Sequence, residues 1–559
     1  MKRLQRSVPF LLMAGIALGT LLAADFAAEG NLWWAHIQYL ASDKLEGRNT
    51  GSEGYRQAVE YVSTQFERDG LQPAGTSGYQ QPVKFETREL VTESSSLALV
   101  HGDEVEPLTL GADAGLSARA RLAPALEAPM VFVGYGLQIP EAHYDELAGI
   151  NLQGKIAVYV NAAGPVKADG NLTSHYSSGV ERWATLHRAG AVGFASIQNP
   201  RVQAVTPNPA EVGRGNGRSS PSSNPADAGN ARGRGRGNGA GRGAGGGGRG
   251  PTVVLADPSL QENEGQSVAL TMTRRGADKF FAHSGHTYEE IMALARENRP
   301  LPKFDMNVSL RMQAVVKRDS LEASNVAGVL PGSDPQLKSE YVIFSAHLDH
   351  LGPGRPGAMD NASGVASVLE VARLMKETAA KPKRSILFLT VTGEEKGELG
   401  SRYFAAHPTV PFRAIVADIN LDMFLPLYPL KVLEVQGLAE STLGPQAKAA
   451  AAELGVGVQT DREPEQNRFI RSDQYSFIRR GVPALAFKFG YEFGSPEEKI
   501  RQAWVRERYH KAGDNLDQPV DKESAARFDR IIMNLLERVA DDPARPQWNS
   551  DSFFKRFAR

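Results

Sequence analysis

The chain has 559 residues, 41% hydrophobic and 23% charged, with a formal net charge of −1 and no cysteine. That length exceeds one ordinary core and suggests roughly three to four domain-sized units of soluble globular composition. The near-neutral charge excludes bulk electrostatic attraction to nucleic acid or anionic membranes. The lack of cysteine excludes disulfides, a lipid-modified cysteine and thiolate metal ligands.

Residues 1–24 read as a signal peptide: Lys2, Arg3 and Arg6 precede a mostly apolar run over 8–22 that ends near Ala23 and Ala24. About fifteen apolar residues fall short of the ~20 that a membrane span needs. The expectation is therefore a periplasmic or secreted protein with no stable membrane insertion after signal removal, the alternative being a retained anchor. Residues 31–40 and 54–69 have helical spacing. In the second, Tyr55, Ala58, Val59, Val62 and Phe66 share one face and Gly70 stands at the C-terminal cap. The polar loop ASDKLEGRNTGSE joins them.

From about Ala125 the texture changes to short β-rich runs at 130–136, 155–160 and 192–197, with a helical stretch over 180–188. Residues 125–300 accordingly read as a smaller α/β domain, inserted between an N-terminal part (25–124) and a main domain (301–545), with 546–559 as a tail. Within the insertion, residues 206–250 consist mainly of Gly, Arg, Asn, Pro and Ser. Such a tract cannot bury enough apolar surface to offset its ordering entropy and reads as a disordered surface insertion. Arginine without interleaved aromatics provides no stacking platform, so no nucleic-acid partner is expected.

Beyond Asn325, apolar runs at 341–346, 385–391, 414–421 and 484–489 alternate with helical stretches. Asp418 and Asn420 interrupt the third run, and after Asn361 the residues Val365, Val368, Leu369, Ala372 and Met375 share a helix face. The pattern predicts an α/β three-layer sandwich on a mixed, largely parallel sheet. Ligand sites in open α/β sheets lie beyond the carboxyl ends of the strands. There the sequence places His347, Asp349 and His350, then Glu394 and Glu395, then Asp422, with Asp360 ahead of a helix and His510 on a late loop. So many converging carboxylates would repel one another unless cations neutralised them. Oxygen and nitrogen donors without thiolate suit zinc, with manganese or cobalt as substitutes, and the donors suffice for two ions if one carboxylate bridges.

The segments SAHLDHLG, GAMDNASGVA, TGEEKGELGSRYF, NLDMF, RSDQYSF and YHKAGDNLD, in this order, resemble the dinuclear-zinc peptidase family that includes secreted bacterial aminopeptidases, glutamate carboxypeptidase and the transferrin receptor. YLASDKLEGRNTGSEG resembles that family's opening, and VFVGYGLQIPEAHYDELAGINLQGKIAVYV resembles the protease-associated domain often inserted there. The resemblance implies two Zn2+ per chain: His347, Asp360 and Asp422 around one, and Asp360, Glu395 and His510 around the other. It further implies Glu394 as the base for a metal-bridging water, Asp349 as the hydrogen-bond partner of the outer nitrogen of His347, and Tyr509 as a donor to the developing oxyanion. Peptides with a free N-terminus are the implied substrates.

Taken singly, each group has a blander reading. Asp360 could cap a helix, Glu394 and Glu395 could sit at a helix start, Asp422 could be a lone buried acid, and Arg471 could pair structurally with Asp473. Tyr509 and His510 could be loop residues, as His350 and His407 are read to be. Arg471 is a candidate substrate contact, and Phe424 and Phe487 are candidates for a side-chain pocket favouring hydrophobic N-terminal residues. Gln474 stands where many relatives of that family carry histidine. The competing functions are a carboxypeptidase or dipeptidase, for which Arg471 or Lys488 could supply a cationic pocket, a glutaminyl cyclase, and a non-catalytic binding relative.

Overall fold

The computed structural model describes residues 25–168, 170–198 and 251–558. The signal-peptide reading and the Gly/Arg-rich tract fall outside these residues. Among the described residues, no helix is long and apolar enough to cross a membrane.

Among the described residues the main sheet has ten strands, nine of them in one path: β1 (Gln80–Leu90), β2 (Thr252–Leu255), β3 (Val316–Leu330), β4 (Tyr341–His347), β5 (Ser385–Val391), β6 (Ile415–Leu421), β7 (Val432–Gln436), β8 (Gly457–Gln459) and β9 (Ala484–Phe489). The tenth, the two-residue strand Gln72–Pro73, lies at the side of β3. Their order is β2-β1-β3-β5-β4-β6-β9-β7-β8. The central four, β5, β4, β6 and β9, run parallel. Antiparallel strands flank them on both sides. Alternation along the central strands sorts side chains to two faces: Val342, Phe344 and Ala346 enter one core, whereas Ile343 enters another.

Helices α1 (Phe26–Leu40), α2 (Glu53–Arg68), α3 (Ser363–Glu377), α5 (Leu443–Glu453) and α8 (Lys522–Asp541) supply the first core, and α4 (Leu399–Ala406) and α6 (Gln474–Ile478) supply the second. This makes the three-layer sandwich. α2 starts on Ser52, whose hydroxyl accepts from the Tyr55 N–H, and Gly70 beyond its end has φ 74°. One further helix, α7 (Pro496–Glu507), precedes Tyr509 and His510.

The second sheet has eight strands and draws on residues from Ser96–His101 to Phe304–Gln313, so it extends past both ends of the 125–300 interval expected from sequence. The outlying strands Ser96–His101 and Phe304–Gln313 alternate buried with exposed or half-buried positions. Conversely, β2 leaves the interval and pairs with β1 at the edge of the main sheet. β1 and β3 form a long antiparallel stem, in register from Val316↔Leu90 to Val326↔Gln80, that links the two sheets. The two units also touch directly. Arg479 pairs with Glu181 and Glu262, and His175 Nδ1 lies 2.6 Å from the Tyr475 hydroxyl with Phe553 and Phe557 of the C-terminal tail around its ring.

The polar interruption of β6 is absorbed by its neighbour. The Ser345 hydroxyl on β4 lies 2.7 Å from Asp418 Oδ1 and 2.9 Å from Asn420 Oδ1, and every residue of β6 is buried. Burial pushes the Asp418 carboxyl up to about 7 although the Ser345 bond opposes it. The folded chain therefore keeps a proton that the unfolded chain releases near pH 4. The stability this gives is fully present at low pH and is lost as pH rises towards 7, by roughly 4 kcal/mol in all. Asp418→Asn, neutral at every pH, is expected to raise the melting temperature relative to wild type more at pH 8 than at pH 5. Parallel pH profiles of the two proteins in thermal melts would overturn this.

Candidate metal centre

β4 is followed in the chain by β5 on one side of it and then by β6 on the other. This reversal of direction opens a crevice at the carboxyl ends of the three strands, the place where α/β sheets bind ligands. His347 ends β4, Asp422 follows β6 directly, and Glu394 and Glu395 begin a short turn two residues past β5.

Asp360 stands between these groups with both carboxylate oxygens engaged. His347 Nε2 is 3.4 Å from Asp360 Oδ1 and 3.4 Å from Asp422 Oδ1. His510 Nε2 is 3.2 Å from Asp360 Oδ2 and 3.4 Å from Glu395 Oε1. Ligand atoms about 2.0–2.1 Å from a tetrahedral zinc lie about 3.3–3.4 Å from one another, so both sets have the spacing of donors around a common centre. Among the described residues, two groups whose ligand atoms all lie within 4.8 Å of one another share Asp360: His347, Asp360 and Asp422, and His350, Asp360 and Glu395.

The tautomer of His347 strengthens the case. Its Nδ1 lies 3.1 Å from the main-chain oxygen of Asp349. A carbonyl can only accept, so Nδ1 carries the proton and Nε2 turns a lone pair towards two carboxylates. That arrangement is repulsive unless Nε2 is also protonated or a cation lies between. Without a cation, burial opposes charge on His347, but Asp360, Asp422 and Glu394 outweigh it and raise its pKa well above the ordinary histidine value. The same balance pushes His510 up to about 10. The carboxyls respond in kind: Asp360 is held well below, and Asp422 below, the usual carboxylate range by their imidazole partners despite burial. Two imidazoles and three carboxylates in this geometry, with no sulfur donor, fit zinc.

The supporting shell comes from segments distant in sequence. Asp349 does not orient His347 with its carboxylate, as expected from sequence; its main-chain oxygen does. The carboxylate instead accepts the N–H groups of Glu394 at 3.0 Å and Glu395 at 3.3 Å and the Thr50 hydroxyl at 3.0 Å, which pins the turn that carries both glutamates. Asp514 accepts the N–H groups of Met359 at 2.8 Å and Asp360 at 3.0 Å. Asn361 braces the end of β6 through the carbonyl of Leu421 and the N–H of Met423. Arg48 is fully buried and donates to the carbonyls of Leu40, Leu348, Pro356 and Gly357, tying the polar N-terminal loop beneath the site. Sequence reasoning assigned no role to Arg48, Thr50, Asn361 or Asp514, although each lies within or beside a segment that carries the family resemblance.

The remaining candidates divide. Tyr509 packs its ring against His510 at 3.8 Å between centroids. Arg471 does not pair with Asp473 and donates to the Gln466 carbonyl. Phe424 and Phe487 are not pocket walls. Both are buried in the core under the sheet, where Phe424 stacks on Phe528 at 4.5 Å and Phe487 meets the same ring edge-on. As apolar residues they were candidates for a pocket, but their side chains pack on Phe528 of α8. Lys488 is buried and donates to the carbonyls of Asp422 and Met423 at 2.7 and 3.1 Å. Gln474 accepts from Asn420 at 2.8 Å and belongs to the buried polar network of β6. His350 is fully buried rather than an exposed loop residue.

Residues 325–536 match Peptidase family M28. The probable leucine aminopeptidase 2 of Aspergillus oryzae is 29% identical over 267 residues, 45% of this chain and 52% of that protein. A probable zinc metalloprotease of Pyrenophora teres f. teres is 31% identical over 247 residues, 40% of this chain and 50% of the relative. The chain thus spans about half the length of these curated relatives. The aminopeptidase from Aneurinibacillus sp. strain AM-1 shares the fold, with a TM-score of 0.50 at 19% identity over 92% of this chain and 95% of its own. Residues 325–536, which contain all the converging ligand candidates, form a domain of peptidase family M28.

Proposed function

We propose that the chain is an exported zinc aminopeptidase that holds two zinc ions and hydrolyses the N-terminal residue from peptides. The observation that carries this reading is Asp360, whose two oxygens each face a separate imidazole. Bound there, the ions would supply Lewis acidity to a scissile carbonyl, a lowered pKa for the attacking water and an anchor for a free amino terminus.

The chain's own groups do the rest. Glu394 does not belong to either converging ligand group among the described residues and is buried beside His347, which suits a base that takes the proton of the attacking water and returns it to the leaving amine. Asp349 fixes the turn from which Glu394 projects. Tyr509, whose ring lies against that of His510, is the donor we assign to the developing oxyanion. The leucine aminopeptidases among the relatives favour release from the N-terminus, although a carboxypeptidase is among them too. A carboxypeptidase pocket built on Lys488 is disfavoured, because its ammonium is buried and donates to the carbonyls of Asp422 and Met423. With Phe424 and Phe487 in the core, the sequence-based argument for a hydrophobic preference falls away. We further read the second sheet as a protease-associated domain and residues 1–24 as the signal for export.

A panel of aminoacyl-p-nitroanilides beside an N-acetylated control and C-terminally blocked peptides tests the activity. Cleavage of free-amine substrates that is abolished by a chelator is the expected result. Cleavage that requires a free C-terminus, or no hydrolysis by zinc-loaded protein, would overturn it.

A further inference from the structure

His350 has a buried position that the five-ligand assignment leaves unexplained. The ring has no exposed surface, and neither Nδ1 nor Nε2 has a hydrogen-bond partner. An imidazole so placed leaves at least one strong donor or acceptor unsatisfied unless something else occupies it. Nδ1 lies 3.0 Å from Glu395 Oε1 and 3.9 Å from Asp360 Oδ2. The shorter contact lacks hydrogen-bond alignment, so ring nitrogen and carboxylate oxygen are neighbours that aim past each other. His510 Nε2 has the same property 3.4 Å from the same oxygen. Two imidazole nitrogens that crowd one carboxylate oxygen without bonding to it share a focus.

The rings of His350 and His510 are 6.1 Å apart between centroids at 67°. The His350 ring is also held in place. Gly357 has φ +66°, and a Cβ there would stand 2.6 Å from His350 Cγ and Cδ2. The His350 N–H donates to the carbonyl of Arg48 at 3.0 Å. Only a glycine lets the chain pass this close to the imidazole.

We propose that His350 is a ligand, through Nδ1, to the ion held by Asp360, Glu395 and His510. This rests on the two-zinc reading and changes what it implies. The second site becomes closed, with two imidazoles and two carboxylates, while the first keeps three protein ligands, His347, Asp360 and Asp422, and an open position. Closed sites hold zinc structurally and open ones do chemistry. The two sites therefore differ in affinity, and the closed one fills first.

Cobalt titration of metal-free full-length protein, followed by its visible spectrum, and zinc K-edge absorption of the loaded protein test this together. The wild type is expected to load in two separate steps, the first ion showing two imidazoles and the pair showing three. His350→Ala and His350→Asn are expected to weaken one step by at least about 100-fold and to remove one imidazole from the count. Two imidazoles across two ions in the wild type, a measurement that does not depend on any variant folding, would overturn the proposal. So would unchanged loading in folded His350 variants. A wild type that binds one ion only would sink the two-zinc reading instead, and the imidazole count on that ion, with and without His350, would still decide the role of His350.

Discussion

Glu394→Gln is expected to lower kcat by about 10^2- to 10^4-fold while leaving zinc content and melting temperature at wild-type values. The argument is one of placement. Glu394 and Glu395 are adjacent on one short turn, and both main-chain N–H groups are fixed by the Asp349 carboxylate. Their side chains leave the turn in different directions. Glu395 joins Asp360 and the imidazoles, and Glu394 does not enter either ligand group among the described residues. Gly393 and Gly397 bracket the turn with φ of 67° and 109°, a conformation other residues adopt only with strain. Glutamine preserves the size and the acceptor oxygen of Glu394 and removes only its ability to take a proton, so the loss isolates that step. Glu395→Gln is the contrasting control, expected to lose metal as well as activity. A Glu394→Gln enzyme within tenfold of wild type, or one that loses a zinc, would overturn the assignment of Glu394 as base.

The strands that carry the site were legible because they are mostly apolar. β4 and β5 are buried on both faces and read as near-continuous hydrophobic runs that lead into charged residues, and β6 leads into Asp422 despite its Asp418 and Asn420. Four of the five assigned ligands follow from those ends and from the helix after Asn361. What stayed hidden depends on contacts that no local pattern encodes. β1 and β3 are half exposed and polar, so the stem that joins the two sheets has no apolar signature. Arg48 reaches the Leu348 carbonyl across 300 residues of chain. His350 lies three residues beyond His347, and the spacing alone does not say whether the chain turns it to solvent or to the ions. Phe424 failed in the opposite sense: it was a candidate pocket wall, while the loop after β6 turns its ring into the core against Phe528. Local periodicity thus fixes which residues stand at the crevice, and tertiary contacts decide which way each one faces.

The sharing of Asp360 leads to the second large effect. Asp360→Asn is expected to weaken both zinc sites together by at least about 100-fold, whereas Asp422→Asn and Glu395→Gln each weaken one. Asp360 faces His347 through one oxygen and His510 through the other, and Asp514 fixes its main-chain N–H. An amide keeps the shape but offers one neutral oxygen in place of a bridging carboxylate, so neither ion keeps its shared anionic ligand. Stability should follow occupancy. An ion at 100 times its Kd adds about 2.7 kcal/mol per site, so chelation should lower the melting temperature of the wild type substantially. It should leave that of Asp360→Asn nearly unchanged, because that variant has little metal to lose. The measurement is zinc per chain after dialysis, beside thermal melts with and without chelator. Loss of a single zinc in Asp360→Asn, with the other retained at wild-type affinity, would show that the sites do not share this carboxylate, and the bridged centre on which the proposed function rests would fall with it.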